Sequence, residues 1–357
     1  MNNSVQTIQI NGKVFDKEDL DKLFYSNELK DSWHNVMYDF LLNWFDETNF
    51  ILAHTSGSTG KPKEIKLTKT AMRNSAEMTN QFFGLNSTST ALLCLPATYI
   101  AGKMMLVRAI VGGFNLICVE PKANPFEEIN IEIDFAAITP YQLFHSVGSL
   151  QTKHIQKIIV GGSLVTGKLE QLSKDLSSEL YETYGMTETC SHIALRQFNG
   201  KNKQDCFTVL KDISIRLDER NCLAISASHL LENEITTNDF VEIIDKNSFR
   251  WLGRIDTTIN TGGVKVHPEQ IEKKLEGIIL TNFFISSVPD EILENKVILI
   301  LESNLYTGLM EKNLKIEFER VLSKFEIPKG IYSTENFIYT AGNKILRKET
   351  LDKILFN

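Results

Sequence analysis

From about residue 90 to residue 185, short apolar runs alternate with longer segments in which apolar residues recur at helical spacing. Such alternation predicts an α/β domain whose sheet is at least partly parallel. The predicted strands are Ala91–Leu95, Asn115–Val119, Phe135–Ile138 and Lys157–Val160. The predicted helices are Met104–Val111, Tyr141–Val147 and Lys168–Leu176.

Between about residues 207 and 252 the pattern changes to closely spaced strand-like runs with turn residues between them. These runs are Phe207–Leu217, Cys222–Ser226, Phe240–Ile244 and Phe249–Leu252. Their spacing is typical of antiparallel strands, so we expect an antiparallel region that caps the α/β part.

A smaller unit is predicted after Gly253-Arg254. Pro268 stands just inside a helix start, and the acidic residues in the first turn suit the helix dipole. Strand-like and helical segments follow at Phe283–Val288, Val297–Leu301, Leu309–Phe325 and Leu346–Leu355. We therefore predict two domains, residues 1–254 and residues 255–357, of which the second is a small α+β module.

Composition and charge narrow the class of protein. The 357 residues include 38 basic and 45 acidic side chains, which gives a net charge of −7. A protein that binds nucleic acid without regard to sequence needs a basic face, so no nucleic-acid partner is expected. Neither a secretory signal nor an apolar run long enough to span a membrane is present, which predicts a cytoplasmic protein.

The five cysteines do not form a disulfide or zinc pattern, because no two of them lie within three residues of each other. Cys94 and Cys118 stand in apolar runs, where a small core residue is the expected role.

The segment with the most chemical information is Thr55-Ser56-Gly57-Ser58-Thr59-Gly60-Lys61-Pro62-Lys63, which follows an apolar run. It offers hydroxyls, sterically open backbone amides and cations, which are the groups that bind phosphate. It is not the common nucleotide loop, since only two residues separate Gly57 and Gly60 and Pro62 follows Lys61. A surface loop without a ligand is the alternative interpretation of this composition.

Four motifs in this order resemble the adenylate-forming enzymes, a family of acyl-CoA synthetases, luciferases and adenylation domains of peptide synthetases. The first is Thr55–Lys63, which matches the family's phosphate loop at every position. The others are Tyr184-Gly185-Met186-Thr187-Glu188, then Gly253-Arg254-Ile255-Asp256 with the turn that leads to Pro268, and Asn343-Lys344-Ile345-Leu346-Arg347. The resemblance implies a large N-terminal α/β domain, shortened at its front, and a smaller C-terminal lid domain.

In this family a carboxylate attacks the α-phosphate of ATP to give an acyl-adenylate, and a thiol then takes the acyl group. The resemblance therefore implies ATP, Mg²⁺ and CoA. The catalytic residues that it implies are Lys344, Thr187, Glu188 and Lys265, with Glu188 as the Mg²⁺ ligand. The ATP-binding residues that it implies are Thr55, Ser56, Gly57, Ser58, Thr59, Gly60, Lys61, Lys63, Gly161, Gly162, Tyr184, Gly185, Asp239 and Arg254.

The resemblance also implies a hinge at Asp256 and a turn, Gly262-Gly263, that faces CoA after the lid rotates. Two positions depart from the family pattern. Thr237-Asn238-Asp239 stands where the family has Thr-Gly-Asp, and Asn343 stands where the family often has Gly before the lysine. Asn238 in place of glycine puts the turn before Asp239 in doubt.

The acid substrate is suggested by the short N-terminal part, since only 54 residues precede Thr55. In this respect, and around Thr187–Ala194, the chain is similar to o-succinylbenzoate–CoA ligases of menaquinone biosynthesis. Candidate substrate residues are His192, Lys103 and Tyr141, for which a structural histidine, an exposed lysine and a core aromatic are the alternatives. Three alternatives remain open: another aryl or short-chain acid as the substrate, a carrier protein as the acceptor, and a non-catalytic nucleotide-binding protein. Assembly as a homo-oligomer also remains open.

Overall fold

The computed structural model describes residues 6–25, 33–54, 63–304, 308–339 and 345–356. The strands are β1 (Ile8–Ile10), β2 (Lys13–Phe15), β3 (Phe50–His54), β4 (Glu64–Thr68), β5 (Thr90–Leu93), β6 (Asn115–Cys118), β7 (Ile133–Ile138), β8 (Ile155–Val160), β9 (Glu179–Gly185), β10 (His192–Gln197), β11 (Phe207–Val209), β12 (Ser214–Leu217), β13 (Cys222–Ser226), β14 (Ile235–Asp245), β15 (Ser248–Arg254), β16 (Ile259–Thr261), β17 (Val264–Val266), β18 (Phe283–Asp290), β19 (Glu294–Glu302) and β20 (Gly330–Thr334). The helices are α1 (Lys17–Tyr25), α2 (Trp33–Phe45), α3 (Lys69–Phe83), α4 (Ile100–Gly112), α5 (Pro140–Leu150), α6 (Gly167–Ser173), α7 (Pro268–Leu275), α8 (Gly308–Val321) and α9 (Arg347–Phe356).

Thirteen of the described strands form one mixed sheet in the order β12-β13-β14-β15-β11-β10-β9-β8-β7-β5-β6-β1-β2. The run from β9 through β8, β7, β5 and β6 to β1 is parallel, which confirms the predicted α/β class. The later strands pair antiparallel, as expected, but they extend the parallel sheet at its edge and do not cap it.

The two faces of the parallel strands carry separate cores. In β5, Ala91 and Leu93 pack in one core with residues of α3 and α4, while Leu92 packs in the other with residues of α5 and α6. A strand alternates its side chains between faces, so burial of both faces requires apolar residues at every position. This explains the continuous apolar runs, and Cys94 and Cys118 are buried as predicted.

One predicted strand, Phe207–Leu217, is in fact two. The chain leaves β11 after Val209 and enters β12 at Ser214, and Asp212 between them has a φ of 61°. A left-handed residue interrupts an extended strand, and aspartate is one of the few side chains that adopts this conformation readily.

The smaller sheet has the order β17-β16-β19-β18, with β20 paired in parallel to β19. Ile271 and Leu275 of α7 and Phe318 of α8 are buried against this sheet with Leu299 of β19. This α+β module agrees with the predicted fold class. The last strand of the large sheet ends at Arg254, and the first strand of the small sheet begins at Ile259.

The N-terminal elements were not predicted. The β1–β2 hairpin joins the large sheet because β1 pairs in parallel with β6. Helix α2 buries Phe40, Leu41 and Trp44 in the same core as α3 and α4. Within the described ranges, no helix has the length and apolar character needed to cross a membrane.

Gly102 allows helix α4 to approach the chain segment before it. A Cβ atom at this position would lie 2.3 Å from the carbonyl oxygen of Pro96, whereas a Cβ at Gly148 in α5 would meet nothing within 4 Å. We expect Gly102→Ala to lower the free energy of unfolding by about 1–3 kcal/mol through overpacking. The matched Gly148→Ala should raise it by up to about 1 kcal/mol, since alanine favours helix. Urea denaturation measures both, and equal stability of the two variants would contradict the close approach.

Candidate functional site

The candidate site lies where neighbouring parallel strands end. Strands β8 and β9 are parallel neighbours, with Val160 opposite Glu182. Gly161-Gly162 follow the end of β8 and Tyr184-Gly185 end β9, so both pairs lie at the same edge of the sheet. This edge is where ligands bind in open α/β sheets. A Cβ at Gly161 would lie 2.2 Å from Oγ1 of Thr183, and Gly162 has a φ of 93°, so both positions favour glycine.

A short 3₁₀ turn at Thr187–Thr189 connects β9 to β10. The amide of Met186 donates to Oγ1 of Thr189 at 3.0 Å, and the amide of Cys190 donates to the carbonyl of Thr187 at 2.9 Å. Cys190 is buried and has a φ of 62°, a conformation that non-glycine residues rarely adopt and that concentrates at functional sites. The turn holds Thr187 half-buried and leaves Glu188 exposed.

Glu188 fits the role of a Mg²⁺ ligand. Its carboxylate is exposed and makes no hydrogen bond or ion pair with the described residues. Mg²⁺ keeps several waters and takes one or two carboxylates together with substrate phosphates, so it does not need a cluster of protein ligands. No group of three His, Cys, Asp or Glu residues suited to a metal occurs in the described part of the chain.

Asp239 is the centre of a buried polar cluster. The hydroxyl of Tyr184 donates to Oδ2 of Asp239 at 2.7 Å, and Nε1 of Trp251 donates to Oδ1 at 3.1 Å. Arg254 lies opposite Asp239 in the β14–β15 ladder, with an N–O distance of 3.8 Å. Burial, together with the Asp239 carboxylate, raises the pKa of Tyr184 well above its usual range, so this hydroxyl stays a hydrogen-bond donor.

Asn238 does not disturb this cluster. It lies inside strand β14 and is absent from the residues with positive φ, so glycine is not required there. Arg220 donates to Oδ1 of Asn238 at 3.0 Å and to the carbonyl of Thr237 at 2.8 Å. The backbone amide of Asp239 donates to Oγ1 of Thr237, which fixes the aspartate from the other side.

Asp256 joins the same cluster through Arg254. The guanidinium donates to Oδ2 of Asp256 at 2.7 and 3.2 Å. Gly262 and Gly263 lie elsewhere in the chain, in the two-residue turn of the β16–β17 hairpin, with φ values of 58° and 77°. Lys265 is exposed on β17, and Gly262 donates its amide to the carbonyl of Leu293 in the same module.

The three candidate substrate residues have different surroundings. His192 begins β10 and is buried, where Nε2 lies 3.3 Å from Oγ1 of Thr79 and Nδ1 lies 3.2 Å from Oγ of Ser191. Lys103 donates from Nζ to the carbonyl of Leu52 at 2.8 Å, which ties α4 to β3. Tyr141 is 44% exposed at the start of α5, and its ring packs edge-on against His145.

Arg108 is a candidate that the sequence analysis missed. It lies on α4 with an exposed fraction of 1%, and no described carboxylate forms an ion pair with it. One terminal nitrogen donates to Oγ of Ser191 at 2.6 Å, the other lies 3.5 Å from Sδ of Met105, and Nε has no partner. Burial lowers its pKa to about 9, so the guanidinium remains charged at neutral pH. An arginine inside the apolar run Met104–Val111 is the signal that could have identified it.

Two groups of predicted residues cannot be placed. Thr55, Ser56, Gly57, Ser58, Thr59, Gly60 and Lys61 lie outside the described residues, as does Lys344. Lys63 is described and exposed, and it directly precedes β4. The predicted residues that hydrogen bonds and ion pairs connect are Tyr184, Asp239, Arg254 and Asp256, with Trp251 as an unpredicted fifth member.

Comparison with known proteins defines the class. The family described as AMP-binding enzyme matches residues 12–222, which is more than half of the chain. A solved acyl-CoA synthetase (AMP-forming)/AMP-acid ligase II-like protein from Dyadobacter fermentans is 34% identical, with 93% of this chain and 98% of that chain covered and a TM-score of 0.61. The chain therefore belongs to the AMP-binding enzyme family.

Curated relatives are more distant. A 2-succinylbenzoate–CoA ligase of Staphylococcus epidermidis is 25% identical over 327 residues, which cover 83% of this chain and 68% of the ligase. The o-succinylbenzoate coenzyme A synthetase of Bacillus subtilis, solved with ATP and magnesium ion, is 19% identical, with 84% and 69% of the two chains covered and a TM-score of 0.71, and shows the same fold. These ligases are longer than this chain. Contrary to the expectation from the sequence, the short length of this chain therefore does not indicate the substrate.

Trp251 should affect nucleotide affinity through Asp239. In Trp251→Phe an aromatic ring remains but the hydrogen bond to the carboxylate is lost. We expect AMP to bind about 3–10-fold more weakly, since a hydrogen bond contributes about 0.5–1.5 kcal/mol net. Titration calorimetry with AMP measures the change. Trp33→Phe on α2 is the matched control and should bind AMP like the parent chain. Unchanged affinity in Trp251→Phe would mean that Asp239 does not depend on the indole.

Proposed function

We propose that this chain uses ATP to convert 2-succinylbenzoate to an acyl-adenylate and then transfers the acyl group to CoA, with release of pyrophosphate and AMP, in menaquinone biosynthesis. Membership of the AMP-binding enzyme family supports the adenylating step. The curated relatives named 2-succinylbenzoate–CoA ligase support the choice of acid, at 22–25% identity. The structural observation that carries the proposal is the burial of Arg108 without a carboxylate partner among the described residues.

A dicarboxylic acid needs a site for the carboxylate that does not react. A buried guanidinium costs several kcal/mol of desolvation, and no carboxylate among the described residues offsets this cost for Arg108. A substrate carboxylate would offset it, because the planar guanidinium accepts a carboxylate in a bidentate arrangement. Arg108 contacts Ser191, three residues after Glu188, so this cation lies beside the turn that carries the proposed metal ligand. The substrate therefore has one carboxylate for Arg108 and a second for the reaction.

In the proposed reaction, the protein's work is to position charges. Asp239 accepts hydrogen bonds from the ribose diol, since Tyr184 and Trp251 hold its carboxylate in place without neutralising it. Gly161 and Gly162 border the adenine together with Tyr184 and Gly185. Thr187 contacts the α-phosphate, and Arg254 supplies positive charge beside the ribose. Such positioning is the main source of catalysis when phosphates react.

The metal and the phosphates belong to the same proposal. Glu188 would hold Mg²⁺, which neutralises charge on the departing pyrophosphate. The segment Thr55–Lys61 with Lys63 would bind the β- and γ-phosphates through its hydroxyls, amides and cations. Lys344 is the proposed lysine that contacts the α-phosphate and ribose during adenylation.

The two half-reactions are proposed to use two orientations of residues 255–357 relative to residues 1–254. The division of the sheets between Arg254 and Ile259 supports a hinge at Asp256. Rotation would withdraw Lys344 and present Gly262, Gly263 and Lys265 to CoA. A cytoplasmic location, a homo-oligomer and the lack of a nucleic-acid partner remain predictions from the sequence.

ATP–pyrophosphate exchange tests the substrate. We expect exchange with 2-succinylbenzoate, and with only one of the two analogues that each lack one carboxylate, 4-oxo-4-phenylbutanoate and 2-butanoylbenzoate. In Arg108→Met, kcat/KM for the diacid should fall by at least about 30-fold, as expected when one partner of a buried charge pair is lost. The reactive monoacid should be affected much less, and Arg108→Lys should retain part of the preference.

Other results would favour the alternatives. Exchange with a different acid only would correct the substrate, and exchange without formation of a CoA ester would indicate a carrier protein as the acceptor. No exchange with any acid would favour a nucleotide-binding protein without catalytic activity. Equal loss of diacid and monoacid activity in Arg108→Met would remove Arg108 from substrate selection.

Lys344 separates the two half-reactions. We expect Lys344→Ala to abolish pyrophosphate exchange, because the lysine contacts the α-phosphate only during adenylation. Formation of the thioester from a supplied acyl-adenylate and CoA should persist near the wild-type rate. Single-turnover assays of each half-reaction measure the two effects. If both half-reactions fall equally, one static arrangement of the chain performs both steps.

A further inference from the structure

A continuous line of polar contacts leads from helix α3 to Arg108. Oγ1 of Thr79 lies 3.1 Å from the carbonyl oxygen of Ser75 and 3.3 Å from Nε2 of His192. Nδ1 of His192 lies 3.2 Å from Oγ of Ser191, and Ser191 lies 2.6 Å from a terminal nitrogen of Arg108. Thr79 and His192 are both buried, so the contact between them is not shared with bulk solvent, and Ser191 is half-buried.

The directions of the outer hydrogen bonds in this line follow from its two ends. A carbonyl oxygen only accepts, so the single hydroxyl proton of Thr79 is donated to Ser75 and its oxygen accepts from His192. Nε2 of His192 therefore carries a proton. At the other end a guanidinium only donates, so Oγ of Ser191 accepts from Arg108.

The protonation of His192 completes the assignment. Burial and the neighbouring Arg108 lower the pKa of His192 well below its usual range, so the ring is neutral. A neutral ring protonated on Nε2 has an unprotonated Nδ1, which accepts the hydroxyl proton of Ser191. The proton of Ser191 thus points away from Arg108, and a lone pair of its oxygen faces the guanidinium.

These hydrogen bonds hold the guanidinium of Arg108 in place but do not neutralise its charge. Two of its five N–H groups have acceptors in Ser191 and Met105, and Nε has none. A carboxylate at position 191 or 192 would stabilise a purely structural arginine far better than a hydroxyl and a neutral imidazole. The neutral partners leave the positive charge without a counter-charge, which an anion bound at this site would supply.

From these contacts we infer that Thr79, His192 and Ser191 form a directed hydrogen-bond relay that positions Arg108 to receive the non-reacting carboxylate of the substrate. Thr79 and His192 are then positioning residues, because they act on the substrate only through Ser191 and Arg108. The inference rests on the proposed function for the identity of the anion, and on the structure alone for the direction of the relay.

The selectivity of the enzyme tests the relay. The measured quantity is the ratio of kcat/KM for 2-succinylbenzoate to kcat/KM for whichever monocarboxylic analogue still reacts. Thr79→Val keeps the shape of the side chain but removes the acceptor for Nε2 of His192, and we expect the ratio to fall about 5–10-fold, through a higher KM for the diacid. Kinetics with the monoacid should stay within about 2-fold, since it has no carboxylate for Arg108.

Three further variants separate the relay from a general disturbance of the core. Thr79→Ser retains the hydroxyl and should keep the wild-type ratio. His192→Asn can place its amide oxygen where Nδ1 accepts from Ser191, so it should keep more of the ratio than His192→Gln. Ser146 lies on the other face of the sheet, and its buried hydroxyl has no hydrogen-bond partner among the described residues. Ser146→Ala should therefore leave the ratio unchanged.

The tautomer of His192 gives a readout that does not depend on activity. In protein with ¹⁵N-labelled histidine, the His192 resonances, assigned by their loss in His192→Asn, should show a neutral ring protonated on Nε2 at pH 7 and at pH 5.5. Thr79→Val should lose this single tautomer, and Thr79→Ser should keep it. A charged ring, or a proton on Nδ1, in the parent protein would overturn the relay.

The two readouts also separate the relay from the proposed function. If the parent protein does not prefer the diacid, the proposed substrate is wrong and the relay does not serve selectivity, whatever the tautomer. If the parent protein prefers the diacid but Thr79→Val and Ser191→Ala both keep the full ratio, the proposed function stands and the relay is overturned.

Discussion

The guanidinium of Arg108 is buried beside Ser191 and Met105 with no carboxylate partner among the described residues, and its charge constrains the groups around it. Ser191, which accepts a hydrogen bond from the guanidinium, lies between the Thr187–Thr189 turn and β10. Burial and the neighbouring Arg108 lower the pKa of His192, the next residue, so its ring is neutral. The amide of Asn80 on α3 donates to the backbone carbonyl of Arg108, so the same helix that carries Thr79 also fixes α4. Hydrogen bonds therefore link the charged guanidinium, the Thr187–Thr189 turn region and helices α3 and α4.

The polar cluster around Asp239 differs from Arg108 both in the sign of its charge and in the number of its partners. There the buried charge is negative and has several partners: the phenol of Tyr184, the indole of Trp251 and the guanidinium of Arg254. A carboxylate has more acceptor capacity than these groups use, so Asp239 remains able to bind a diol. One centre thus has unused donors and the other has unused acceptors, which suits the anionic group and the ribose of the proposed reaction.

The sequence was sufficient where one physical requirement dominates. Burial of both sheet faces demands uninterrupted apolar runs, so β5 to β8 were located within two residues. It was insufficient where partners are distant in the chain. Nothing near Trp251 shows that its indole meets Asp239, and the split of Phe207–Leu217 depends on the backbone conformation of Asp212. Arg108 was visible as a charge in an apolar run, but its lack of a counter-charge is a property of the folded chain.

Helix α4 carries two of the features described above, and their spacing has a consequence for substrate size. Lys103 fixes the start of α4 to β3, the strand that leads into the Thr55–Lys63 segment, and Arg108 follows five residues later. Five residues of helix span about 7.5 Å along the axis. In the proposed reaction, a single helix therefore connects the strand next to the proposed phosphate-binding segment to the remote cation. Under this proposal the helix would set the distance between the two carboxylate sites, so an acid with a shorter or longer chain between its carboxylates would not reach both.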